Sequence, residues 1–170
     1  MSPSLITRAL LALGLALALV PHPALAQQPA SETPVIQGKT LAGAPFDLAA
    51  LRGKVVLVLF WSTDCPVCLD KMPELRANAL GWRGKPFELV SVSFDRRERD
   101  AADYEKLVGT LVPTTQRFPT LWAGHPAYKS SAARPAHLPT TWLIDKAGKL
   151  VETYNGRIPP EAWDRIAELL

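Results

Sequence analysis

Two hydrophobic rhythms alternate along the chain. Residues 55–60 form an unbroken apolar run rich in β-branched side chains, and residues 87–94 form a second buried stretch, the pattern of strands covered on both faces. Between them Leu69, Met72, Leu75, Ala79 and Leu80 recur at helical spacing, which predicts a helix over 65–81. Pro73 lies inside that helix and is expected to kink it, because it removes a ladder donor. Residues 101–108 predict a second helix, broken by Gly109. Residues 141–145 and 149–154 read as strands joined by Lys146, Ala147 and Gly148, a hairpin signal. Pro159, Pro160 and Glu161 open a last amphipathic helix that runs to Leu170. Ahead of all this, residues 41–46 predict a short hairpin around Gly43, and residues 47–51 a brief helical turn ended by Gly53. The order β-α-β-α-β-β-α after an N-terminal hairpin extension predicts an α/β fold, a mixed central sheet with helices on both faces. Residues 123–136, containing Pro and Ser, read as a long loop, a place where partner choice is often made.

The first 26 residues do not follow these rhythms. A basic start with Arg8, an apolar run over 9–20 and the small-x-small series Ala24-Leu25-Ala26 have the layout of a secretory signal peptide. The run is shorter than the roughly 20 residues a bilayer core needs, and Pro21 and Pro23 close it, so cleavage after Ala26 is expected rather than a retained anchor. Residues 27–33 read as a flexible tail and 34–170 as one domain, so the expected compartment is the periplasm.

Charge excludes some partners. The whole chain carries a net +3, and loss of Arg8 leaves +2, too mild to indicate nucleic acid or an acidic membrane surface. The cluster Arg96-Arg97-Glu98-Arg99-Asp100 mixes both signs and reads as a solvated helix start. There are two cysteines, Cys65 and Cys68, and their spacing makes them a poor structural staple. A loop that short yields only about 2 kcal/mol by chain entropy, against about 3 for fifteen residues. Redox or metal chemistry is favoured instead.

Cys65 falls where a buried strand gives way to a helix. With Cys65 at the N-cap, Pro66 becomes the first helical residue, where a missing N–H costs nothing. The Val67 and Cys68 N–H groups would then point back at the Cys65 sulfur and, with the helix dipole, stabilise its thiolate. Cys68, one turn further in, would be covered and placed to resolve a mixed disulfide. A zinc site needs two further ligands, and past the signal segment the histidines are His125 and His137. Covalent haem attachment needs a histidine directly after the second cysteine, where Leu69 stands.

The stretch Lys54 to Cys68, with Pro73 five residues on, resembles the active-site strand and helix of thioredoxins. Leu138-Pro139-Thr140 resembles the thioredoxin loop whose proline is cis and faces the cysteines. The lead-in over 47–54 and the segment 141–151 narrow the resemblance to exported TlpA-like and ResA-like thiol:disulfide oxidoreductases, over about residues 34–170. The resemblance implies a thioredoxin-like fold, Cys65 and Cys68 as the catalytic pair, and no cofactor beyond their redox-active disulfide. It implies that Trp61 shields the disulfide, and that Pro66, Val67, Leu138 and Pro139 shape the substrate-facing surface. The cis-proline would offer the preceding backbone to an extended substrate and keep metals off the cysteines. Substrates would be disulfides in other exported proteins, with cytochrome c maturation as one role the family suggests. A membrane thiol donor would supply the electrons, since the periplasm holds no reducing buffer.

Two departures touch the mechanism. Thioredoxins carry a buried Asp six residues before the first cysteine, where Leu59 stands, and many TlpA-like and ResA-like proteins carry a Glu three residues after the second, where Lys71 stands. Asp70, Glu74 and His137 are the nearby candidates for a base, none at a matching position. Asp64 beside Cys65 should oppose its thiolate, which goes with a more reducing couple. Two alternative activities are weighed against this one. Copper delivery would add His125 or His137 to the two thiolates. A thiol peroxidase normally has Thr three residues before its cysteine, where this chain has Ser62.

Overall fold

The computed structural model describes residues 33–131 and 133–170, so the expected signal peptide and all of the expected tail except Thr33 lie outside the described residues. In chain order the strands and helices are β1 (Ile36–Lys39), β2 (Pro45–Asp47), β3 (Val55–Trp61), α1 (Pro66–Gly81), β4 (Phe87–Ser93), α2 (Glu98–Leu111), β5 (Thr120–Trp122), β6 (Lys129–Ser130), β7 (Thr140–Ile144), β8 (Leu150–Asn155) and α3 (Glu161–Leu169). Single 3₁₀ turns cover Leu48–Leu51 and Thr114–Gln116.

The main sheet has five strands in the order β5-β4-β3-β7-β8. β3 pairs parallel with β4, and β4 with β5, while β7 runs antiparallel to β3 and β8 antiparallel to β7. Parallel neighbours need a crossover, and α1 and α2 supply the two that this order requires. β3 is central because every one of its seven residues is apolar and buried. Its side chains alternate faces. Val55, Leu57, Leu59 and Trp61 join Met72 and Leu75 of α1 and Ala162 and Ile166 of α3, with Tyr104 of α2 packed against the same cluster. Val56, Val58 and Phe60 join Ile36, Leu48 and Trp142, with Phe46 and Tyr128 against them.

That second face departs from the expected helices on both sides. A small sheet of order β2-β1-β6 and the turn at Leu48–Leu51 form its cover, because Ile36, Phe46, Leu48 and Tyr128 carry the needed apolar surface there. The hairpin around Gly43 is present, with Lys39 opposite Pro45 and Gly43 at a φ of 82°, a backbone region open to glycine at little cost.

Other boundaries differ for physical reasons. α2 does not break at Gly109 but continues to Leu111. A helical glycine costs only about 1 kcal/mol, and the Arg117 guanidinium donates to the Gly109 and Val112 carbonyls at 2.8 and 2.9 Å, satisfying the helix end. The long loop over 123–136 contains β6, which pairs with β1. β5 and β6 span three and two residues, too few to show a period in the sequence. In α1 the buried stripe is Cys68, Met72, Leu75 and Arg76, whereas Leu80 is 37% exposed. The α1 helix runs through Pro73 without ending.

Candidate active site

Chain leaving β3 turns at once. Phe94 N–H donates to the Trp61 carbonyl at 2.7 Å, so the ends of β3 and β4 stay together. The turn 62–65 follows, closed by Cys65 N–H on the Ser62 carbonyl at 3.3 Å. Cys65 is the N-cap of α1 with extended backbone, and Pro66 takes the first helical position. Of the two N–H groups expected at the sulfur, that of Cys68 makes the bond, at 3.2 Å to Cys65 Sγ. Cys65 and Cys68 are joined as a disulfide with a Cα–Cα distance of 5.2 Å. Cys65 is half-buried, Cys68 is 0% exposed, and Pro66 and Val67 are exposed beside them. One sulfur is thus reachable and the other is covered.

The surrounding residues come from the end of β3, the start of α1 and the loop before β7. Phe60 is in register with Thr140, which brings Pro139 abreast of the end of β3. The Leu138–Pro139 peptide is cis. Pro139 is buried and its carbonyl accepts the Gly156 N–H at 2.8 Å, while the Thr140 hydroxyl donates to the His137 carbonyl at 2.8 Å, so the loop is tied on both sides. Leu138 packs against the same cluster as Cys65 and Cys68. Trp61 is 0% exposed, its ring is tilted 58° to that of Tyr104 at 4.9 Å between centres, and it belongs to the same buried cluster as Cys68.

The candidate bases are placed elsewhere. The Asp70 carboxylate pairs with Arg157, and Glu74 pairs with Lys71. Leu59 is buried in the sheet, and the His137 side chain is exposed. His125 Nδ1 accepts the Ala127 N–H at 3.0 Å within its own turn. The Ser62 hydroxyl donates to Asp64. Among the described residues no group of three His, Cys, Asp or Glu side chains gathers as metal donors.

One site residue was missed in the sequence. Asp95, just beyond β4, accepts from Thr63 in the turn before Cys65, at 2.8 Å from its N–H and 2.6 Å from its hydroxyl. The signal was available. Ser91, Ser93 and Asp95 are polar at every second position of a buried strand and its extension, which is costly unless those groups have partners.

A half-exposed cysteine capping a helix, a buried one beneath it and a cis-proline loop abreast of them, on a mixed sheet, define the class: a thiol–disulfide oxidoreductase of thioredoxin-like fold. The chain belongs to the AhpC/TSA family, which it matches over residues 29–153. Thiol-disulfide oxidoreductase ResA of Halalkalibacterium halodurans is 26% identical over 130 residues, covering 76% of this chain and 70% of that protein. A thiol:disulfide interchange protein of the thioredoxin family from Chlorobium tepidum shares its fold with a TM-score of 0.66 at 22% identity, covering 84% of this chain and 97% of that one. The pneumococcal exposed lipoprotein thioredoxin Etrx1 from Streptococcus pneumoniae gives a TM-score of 0.58 at 22% identity, covering 79% and 99%. These likenesses bear out the ResA-like resemblance and the thioredoxin-like fold.

Proposed function

We propose that this oxidoreductase works as a reductase of disulfides in exported proteins, in the periplasm, with Cys65 attacking and Cys68 resolving. The observation that carries the reading is the asymmetry of the pair: Cys65 accepts the Cys68 N–H at the start of α1 and is reachable, whereas Cys68 is wholly covered. In the reduced protein the Cys65 thiolate attacks one sulfur of a substrate disulfide, and the other substrate sulfur leaves as a thiolate and takes a proton. The Cys68 thiolate then attacks Cys65 Sγ, releasing the second substrate thiol. Two electrons have passed to the substrate, and the Cys65–Cys68 disulfide seen here is the oxidised product. A membrane thiol donor returns it to the dithiol. Exposed Val67 and half-buried Leu138 offer the apolar rim on which a substrate segment rests. The exported setting is supported by the signal-peptide layout of residues 1–26 and by the likeness to an exposed lipoprotein thioredoxin. Apocytochromes awaiting haem are a fitting substrate class, since their cysteines must be reduced.

Trapping tests the reading. Cys68→Ser expressed in a Gram-negative host should accumulate mixed disulfides with periplasmic proteins, apocytochromes among them, and the exported chain should begin at Gln27. Adducts confined to cytoplasmic proteins, or a retained Met1 in the membrane fraction, would contradict the location.

A further inference from the structure

Asp95 is 9% exposed, and its oxygens are surrounded by donors. Oδ1 accepts the Thr63 N–H at 2.8 Å and the Thr63 hydroxyl at 2.6 Å, and Oδ2 accepts the Ser93 hydroxyl at 2.6 Å. Its own N–H donates to Ser93 Oγ at 3.1 Å, and its carbonyl accepts the Trp122 indole N–H at 2.8 Å. Burying a carboxylate costs several kcal/mol unless such bonds compensate. A neutral residue would end the strand more simply. What the carboxylate adds is a link across 32 residues to the turn that presents Cys65.

The remaining hydrogen bonds within that turn are local. Its closing bond, Cys65 N–H to Ser62 O, is long at 3.3 Å, and the Ser62 hydroxyl is engaged by exposed Asp64. Thr63, at its centre, uses both of its donors on Asp95. Because β3 and β4 run in register to Trp61 and Ser93, Asp95 stands directly beside the turn. The anchor rides on the rigid sheet, and the sulfur it positions must stay 3.2 Å from the Cys68 N–H to keep its cap bond.

We propose that Asp95 is a positioning residue for thiol–disulfide exchange: by anchoring Thr63 it fixes the turn 62–65 and so keeps the Cys65 sulfur at the start of α1. The inference rests on reading Cys65 as the attacking thiol. The other charged groups on this flank are Asp64, Arg96, Arg97 and Asp100, which with Thr63 and Asp95 line a cleft of about 400 Å³. Arg97 and Asp100 neutralise one another through two bonds of 2.9 and 2.6 Å, so the anchor at Thr63 is left to Asp95.

The test reads the rate of Cys65 alkylation against pH in the reduced protein, together with kcat and KM for disulfide reduction. Asp95→Ala strands both Thr63 donors and lets the sulfur drift from its cap. Its alkylation midpoint should rise by about one pH unit: the lost hydrogen bond to a charged group raises it by about one to two units, and removal of the neighbouring carboxylate charge takes back a fraction of that. Its kcat should fall about tenfold while KM changes little. Thr63→Ser keeps both donors and should match the parent, and Thr63→Val, which keeps only the N–H, should fall between. A merely structural role would lower the unfolding midpoint and leave the pH profile of the folded molecules unmoved. A folded Asp95→Ala with the parent's midpoint and kcat overturns the proposal. If Asp95→Ala does not fold, Thr63→Val decides, and a parental profile there overturns it equally. Alkylation needs no protein substrate, so a shifted midpoint in a protein that reduces no disulfide supports the positioning role and overturns the functional reading alone.

Discussion

Reduced protein offered a limiting amount of iodoacetamide at about pH 6 should be labelled at Cys65 well before Cys68. A hydrogen bond to an ionised group contributes about 1.5–3 kcal/mol, and the helix terminus about 0.3–1 kcal/mol. Cys65 is half-buried, so the low ends apply, and together they come to about 2 kcal/mol, or roughly thirtyfold more thiolate below its titration range. A less basic thiolate is also a weaker nucleophile, and a Brønsted slope of about 0.4–0.5 removes roughly fivefold of that gain. The remaining advantage over an ordinary cysteine is about sixfold. Cys68, at 0% exposure, works in the other direction, because burial disfavours its thiolate and the reagent reaches it only when the helix end opens. The ratio of the two rates should therefore exceed about tenfold. Quenching at partial labelling, digestion and mass spectrometry give the ratio, and the same measurement in concentrated urea should bring it close to one. Equal labelling in the folded protein, or Cys68 first, would refute the reasoning.

Two further outcomes follow from groups away from the sulfurs. Arg117→Ala removes both guanidinium bonds from the end of α2 and should lower stability in urea by about 1–2 kcal/mol, leaving the Cys65 labelling rate at the parent value. Burial holds the Glu105 carboxyl above its ordinary range, against the opposing effects of the Thr120 hydroxyl and the charges of Arg76 and Arg117. The folded acid then binds its proton more tightly than the unfolded one. Its stability is full at acid pH and declines as pH rises through the raised folded value. Glu105→Gln, neutral throughout and still able to accept from Thr120, should resist urea better than the parent at neutral pH. The difference should close on acidification, and a difference that widens toward acid would contradict this sign.

Local chemistry made much of the site legible. Cys-Pro in that order at the end of a buried apolar run marks an N-cap followed by a first helical residue, and the structure has both. The Leu-Pro-Thr context likewise marked Pro139. Contacts distant in sequence were not legible. Asp95 meets Thr63 across 32 residues, and no spacing rule links a strand end to a turn that far away. Gly109 read as a break because the groups that satisfy the helix end come from Arg117, eight residues on. Arg76 is 7% exposed, donating to the Tyr104 hydroxyl at 3.3 Å and lying 5.6 Å from the Phe118 ring centre. Its partners stand on α2 and in the segment before β5. The cover of the second face followed the same logic, since β6 forms only where β1 offers it an edge.

The central claim, dithiol exchange led by Cys65 and completed by Cys68, is tested most directly by insulin reduction with dithiothreitol as the electron source. The parent should accelerate precipitation of the insulin B chain. Cys65→Ser should be inert, and Cys68→Ser, reduced and then freed of dithiothreitol before insulin is added, should stall as a mixed disulfide through Cys65, visible on a non-reducing gel and absent after reduction. Turnover by Cys65→Ser, or an adduct carried on Cys68 in the parent, would contradict the account.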